Sequence, residues 1–134
     1  MKLRLLMVDD DATLTTVIGR VVELEKDWEF SSAEGYDAGL LRARDFRPDV
    51  IVLDYDLGEE RRNGFSFLRE LRLDPLLQHV PVIVFTGTMV RSGDAVEGLD
   101  QGADGYLRKP IAPNVLLARA RAAALQFQRA YRRR

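Results

Sequence analysis

Cysteine is absent from this 134-residue chain, and histidine occurs once, as His79. The first absence excludes disulfides, thiolate metal sites and thiol nucleophiles. The second excludes a histidine-built zinc site and a conventional Ser-His-Asp triad. No apolar stretch approaches the roughly 20 residues of a membrane-crossing helix. Met1-Lys2-Leu3-Arg4 leads straight into a strand pattern without the features of a secretory leader, so a cytoplasmic protein with no membrane partner is expected. Acid is missing from one end: residues 105–134 hold eight bases and no acid, whereas residues 1–104 hold all 21 acids and 12 bases. Such a basic end suits a helix C-terminus. With no reading helix or aromatic platform, it does not imply direct nucleic-acid binding. What is present is ordinary for a single globular domain with a buried core: 46% hydrophobic and 31% charged residues.

Strand and helix patterns alternate along the chain. Leu3–Val8, Trp28–Ala33, Val50–Leu53, Val82–Phe85 (with Pro81 and Thr86 at its margins) and Ala103–Arg108 read as strands. Val50–Leu53 is unbroken apolar sequence, as in a strand covered on both faces. Between the strands, helical spacing runs from Ala12 to about Lys26, Gly35 to Phe46, Gly64 to about Leu73 and about Ser92 to Gln101. A fifth helix runs from Pro113 into the terminal arginines. Leu14, Val17, Ile18, Val21, Val22 and Leu24 lie on or near one face of the first helix, and Ala38, Leu41 and Ala43 carry the second. Repeated βα units joined by right-handed crossovers imply an α/β fold built on a five-stranded parallel sheet flanked by five helices.

Five polar residues close four of the strand patterns: Asp9 and Asp10, Asp54, Thr86 and Lys109. The carboxyl ends of strands in an open parallel sheet line one crevice. Three carboxylates, a hydroxyl and an ammonium would therefore meet at one spot, a set suited to holding a divalent cation and moving a phosphoryl group onto a carboxylate. Singly, each has a plainer reading: aspartates after a strand cap helices, as Asp11 is expected to do here, and a buried Thr bonds locally. Asp54 is the least readily explained so, because Asp disfavours strands and follows four strand-formers.

Leu5-Leu6-Met7-Val8-Asp9-Asp10-Asp11, Pro48-Asp49-Val50-Ile51-Val52-Leu53-Asp54, Pro81-Val82-Ile83-Val84-Phe85-Thr86-Gly87 and Gly102-Ala103-Asp104-Gly105-Tyr106-Leu107-Arg108-Lys109-Pro110, in that order, resemble the receiver domain of two-component response regulators. The resemblance covers residues 1–126 as the receiver domain and leaves 127–134 as a basic helix extension or the start of a linker. It implies a doubly wound, flavodoxin-like fold with strand order 2-1-3-4-5. It further implies Asp54 as phosphoacceptor, with Mg2+ held by Asp10, Asp54 and the backbone carbonyl of Asp56, and by Asp9 through water. Thr86 and Lys109 would contact phosphoryl oxygens, and the Lys109-Pro110 peptide would be cis. Thr86 and Tyr106 would form the switch, and Asp56 and Thr88 would tune autodephosphorylation. The implied partners are a sensor histidine kinase or histidine phosphotransfer protein. A homodimer or output partner would use the face of the fourth helix, fifth strand and fifth helix.

Two departures from the family pattern stand out: the loop after Asp54, and Asp56 itself, an extra carboxylate two residues beyond the acceptor. Gly58 replaces a usual proline four residues after Asp54, and the loop to Gly64 is about two residues longer, with Glu59, Glu60, Arg61 and Arg62. That loop reads as solvated charge or as a modified rim that selects the kinase or sets acyl-phosphate lifetime. Gly105 stands where receivers joined to winged-helix domains usually carry an acid, which weakens that analogy for the last helix. Leu116, Ala120, Ala123, Phe127 and Ala130 form a stripe on this helix. Asp54-x-Asp56 also resembles the nucleophile motif of haloacid dehalogenase-like phosphatases, although the acidic pair comes first here and there is no room for a cap. A non-phosphorylated pseudo-receiver is the other alternative, and such modules normally lose one of the five residues.

Overall fold

Alternation along the central strands decides which helices cover which face. The computed structural model describes residues 2–59, 61–87 and 102–132. The strands are β1 (Leu3–Val8), β2 (Trp28–Ala33), β3 (Val50–Leu53), β4 (Val82–Thr86) and β5 (Gly105–Arg108). All pair in parallel, in the order β2-β1-β3-β4-β5. The helices are α1 (Ala12–Glu23), α2 (Tyr36–Phe46), α3 (Gly64–Leu73) and a C-terminal helix (Pro113–Arg132). The helix expected at about Ser92–Gln101 lies outside the described residues.

Because side chains alternate in a strand, Leu5, Met7, Val50 and Val52 pack with α1 and the C-terminal helix. Leu6, Val8, Ile51 and Leu53 pack with α2 and α3 on the other face. Both faces of β3, and of β1 from Leu5 to Val8, are thus dry, as the unbroken apolar run of β3 anticipated. Phe67 is fully buried in the second layer, so truncating it to Ala would cost about 3–5 kcal/mol.

The helix faces differ from the sequence reading in detail. Leu41 is 63% exposed, and α2 turns Tyr36, Gly39, Leu40 and Ala43 inward instead. The reason is Gly39: a β-carbon there would lie 2.7 Å from Val8 Cγ1 and 2.8 Å from Phe67 Cε2, so α2 docks on its bare glycine. In α1, Thr15, Ile18, Gly19 and Val22 are buried, while Val17 and Leu24 are exposed. That helix ends at Glu23 with Leu24 as its C-cap, short of Lys26. The C-terminal helix buries Leu116, Leu117, Ala120 and Ala124, with Ala123 partly covered. It is tied to the strand-start end of the sheet by Arg121, which pairs with Asp27 and lies 5.3 Å over the Trp28 ring.

Candidate functional site

Hydrogen bonding continues past the strand ends and holds the site backbone in place. Asp9 N–H donates to Ala33 O (3.1 Å), Asp54 N–H to Val8 O (2.8 Å) and Lys109 N–H to Thr86 O (2.9 Å). Four neighbouring strands thus deliver their terminal residues to one crevice. Asp9, Asp54 and Thr86 are buried there, at 1%, 6% and 1% exposure, while Asp10 lies exposed at the rim. Oxygens of the Asp9, Asp10 and Asp54 carboxylates all lie within 4.8 Å of one another.

Lys109 reaches into this acid cluster. Its Nζ lies 2.7 Å from Asp9 Oδ2 and 3.4 Å from Asp54 Oδ2, and 5.3 Å above the Phe85 ring centroid. The Lys109–Pro110 peptide bond is cis. The second Asp9 oxygen accepts the Asp11 amide (2.9 Å), and Asp11 in turn caps α1 by accepting from Leu14 N–H (3.0 Å). Asp9 and Asp11 therefore have separate work: Asp9 points into the site and Asp11 begins the helix.

Burial sets the electrostatics. Desolvation first, then the Asp9 charge, push Asp54 up to about 7, against the opposing pull of Lys109. Asp10 is raised by its own desolvation and by the charges of Asp9 and Asp56. Desolvation alone would lower Lys109, but its hydrogen bond to Asp9 and the charges of Asp54 and Asp9 outweigh that and leave it raised. Three crowded carboxylates with one ammonium between them form an under-neutralised pocket of hard oxygen donors. This is the chemistry that favours Mg2+ over softer ions.

Of the remaining expected residues, Asp56 and Tyr106 are among those described. The Asp56 side chain is exposed and accepts the Gly58 amide (3.0 Å), so its carboxylate serves its own turn. Tyr106, on β5, lines a groove of about 210 Å3 with Ile83, Leu107, Arg119 and Ala123 between β5 and the C-terminal helix. Thr88 lies outside the described residues. His79 is an exposed loop residue.

Gly64 belongs to the site although the sequence reading treated it only as a helix start. A β-carbon there would lie 2.8 Å from Asp54 O and 2.9 Å from Tyr55 Cα, and Gly64 N–H donates to Tyr55 O at 2.7 Å. Asn63 caps α3 by accepting from Phe65 and Ser66 amides. A glycine directly after a capping Asn was the available signal: the helix start needs no glycine there unless the chain before it passes very close.

Comparison with known proteins agrees with this geometry. Residues 5–121 match the response regulator receiver domain. The chain is 32% identical over 119 residues to the phosphate regulon transcriptional regulatory protein PhoB of Escherichia coli, covering 89% of this chain and 50% of that protein. It is 38% identical over 122 residues to the DNA-binding response regulator MtrA of Mycobacterium tuberculosis, covering 91% of this chain and 50% of MtrA. The chain thus spans about half the length of these curated relatives. Among solved structures, a CheY-like receiver domain protein from Methanospirillum hungatei superposes with TM-score 0.85 at 23% identity, covering 97% of this chain and 99% of that one. The Francisella response regulator 1452 receiver domain gives TM-score 0.80 at 26% identity, covering 93% and 98%.

Proposed function

This chain belongs to the response regulator receiver domain family of two-component signalling, and we propose that it is a switch charged by transfer of a phosphoryl group onto Asp54. The observation that carries the reading is the meeting of Asp9, Asp10, Asp54 and Lys109 at the ends of three strands. Receiver domains are phospho-accepting signalling domains rather than enzymes with a separate substrate.

The reaction follows from these groups. A carboxylate oxygen of Asp54 attacks the phosphorus of a phosphohistidine on a sensor kinase or phosphotransfer protein. The P–O bond of an acyl phosphate forms as the P–N bond breaks, and the imidazole leaves with its electron pair and takes a proton from water. Asp10, Asp54 and the Asp56 carbonyl would hold Mg2+ directly, and Asp9 through water. The ion supplies positive charge between the anionic nucleophile and the anionic donor. Asp9 keeps Lys109 inside the crevice, and Lys109 balances one phosphoryl oxygen as negative charge develops. The Thr86 hydroxyl donates to another. Burial of Asp9, Asp54 and Thr86 strengthens each contact by excluding water.

Output follows from Thr86 moving toward the phosphoryl group and Tyr106 turning into the space it leaves. The face of β5 and the C-terminal helix would change with that rotation. That face would then engage an output domain, a partner or a second copy. Asp56 and Thr88 would set how quickly water removes the phosphoryl group, which is the self-dephosphorylation expected of such a site.

The test is native mass spectrometry with Mg2+, with and without acetyl phosphate, on wild type and Asp54→Asn. Addition of one phosphoryl group to the wild type alone is expected. Labelling of both proteins, or of neither with acetyl phosphate or a phosphorylated kinase, overturns the reading.

A further inference from the structure

We infer that Arg62 is a positioning residue, a latch that ties residues 56–59, beside the Mg2+ site, to the first turn of α2. This inference rests on the proposal that the acid cluster takes Mg2+.

The charged loop is anchored at its outer end. The Arg62 guanidinium forks onto Asp37, with Nη1 3.1 Å from Oδ2 and the other arm on Oδ1. Nη1 also lies 3.3 Å from Glu59 Oε1, and the guanidinium carbon sits 4.0 Å over the Tyr36 ring. Tyr36 is 2% exposed and packs edge-on against Phe67, centroids 5.4 Å apart. Arg62 therefore grips a part of the molecule that cannot give way. Planar forking and stacking together are an arginine property that lysine lacks.

At its inner end the same loop borders the pocket. Leu57 is buried, and the turn centred on it closes by the Gly58 amide donating to Asp56 Oδ1. Gly58 has φ +82, and a β-carbon on it would stand 3.6 Å from Asp10 Oδ2. The segment that would lend the Asp56 carbonyl to the ion is thus laid against Asp10 and held from beyond by Arg62. The positive φ suits glycine and is closed to proline, whose ring fixes φ near about −65°.

An ion pair this exposed (38% for the Arg62 side chain, 75% for Asp37) adds little to global stability. Its effect belongs in the loop it restrains, and that separates the latch from a merely structural contact. The experiment is calorimetric titration of Mg2+ into wild type, Arg62→Gln, Asp37→Asn and the double variant, with urea unfolding alongside. Either single change is expected to weaken Mg2+ binding about tenfold, the lower end for groups that orient metal ligands. The double variant should lose no more than Arg62→Gln alone, because Asp37 acts on the loop through Arg62. Unfolding midpoints should stay close to wild type. Variants that bind Mg2+ as tightly as wild type, or losses that add in the double variant, overturn the latch alone. Wild type that itself binds no Mg2+ overturns the metal reading and the latch with it.

Discussion

Lys109 Nζ lies 2.7 Å from Asp9 Oδ2 and 3.4 Å from Asp54 Oδ2, so one ammonium from the end of β5 balances carboxylates from the ends of β1 and β3. These residues are 100 and 55 positions apart in the chain, and only the strand order brings them together. A buried charge cluster held in this way is sensitive to the loss of any member.

Replacing Lys109 by Met leaves Asp9 and Asp54 facing each other without a counter-charge. Metal-free Lys109→Met is expected to lose about 3 kcal/mol at neutral pH, the scale for breaking a buried pair. Acidification should restore most of it by neutralising a carboxylate. Urea unfolding at about pH 7.5 and about pH 5 reads both effects, and a pH-independent deficit would contradict the charge account.

Asp54 shows the opposite sign. Its folded pKa is raised from 3.8 to about 7, by burial first and Asp9 second, so the folded chain binds that proton more tightly than the unfolded chain. Stability from this source is full below about pH 4 and is lost as pH rises through about 7. Metal-free Asp54→Asn should therefore be more stable than wild type by about 2 kcal/mol at pH 8. The gap should close near pH 4. Mg2+ should reverse the order by stabilising the wild type through binding. Urea melts at the two pH values, with and without Mg2+, check all three statements.

Much of this was legible in the sequence because the signals were local. Apolar runs marked β1, β3 and β4, and a polar residue at the end of each marked the crevice. Which face α2 turns inward was not legible: Leu41 fits the helical spacing, but the close approach at Gly39 rotates the helix away from it. The grip of Arg62 on Asp37 was also hidden, since the partners are 25 residues apart and surface charges carry no pairing pattern. Gly64 was missed for a related reason, because a glycine signals freedom in sequence and becomes a requirement only once Tyr55 and Asp54 are seen against it.

Gly64→Ala is expected to cost about 2 kcal/mol, the scale of overpacking. The clash is with backbone atoms of Asp54 and Tyr55, which cannot swing aside. Thermal unfolding measures the loss, and Mg2+ titration should show weaker binding because the acceptor's own backbone must shift. A wild-type melting curve for this variant would contradict the packing described for the β3–α3 junction.

Thr86→Ala removes a hydroxyl that is buried beside the acceptor. Phosphorylation by acetyl phosphate should slow by about tenfold, a modest value for one lost donor to developing charge, while the metal-free fold stays intact. Stopped-flow fluorescence or quench-flow mass measurement gives the rate. An unchanged rate would remove Thr86 from the chemistry.

The central claim is that Asp54 carries the phosphoryl group, and it is tested most directly by trapping the acyl phosphate with borohydride and sequencing the peptides by mass spectrometry. Reduction turns an aspartyl phosphate into homoserine at the position that carried it. Homoserine at position 54 alone, dependent on both Mg2+ and phosphoryl donor, is the result this account predicts. Homoserine at Asp9, Asp10 or Asp56, or at no position in protein that has gained a phosphoryl group, would contradict it.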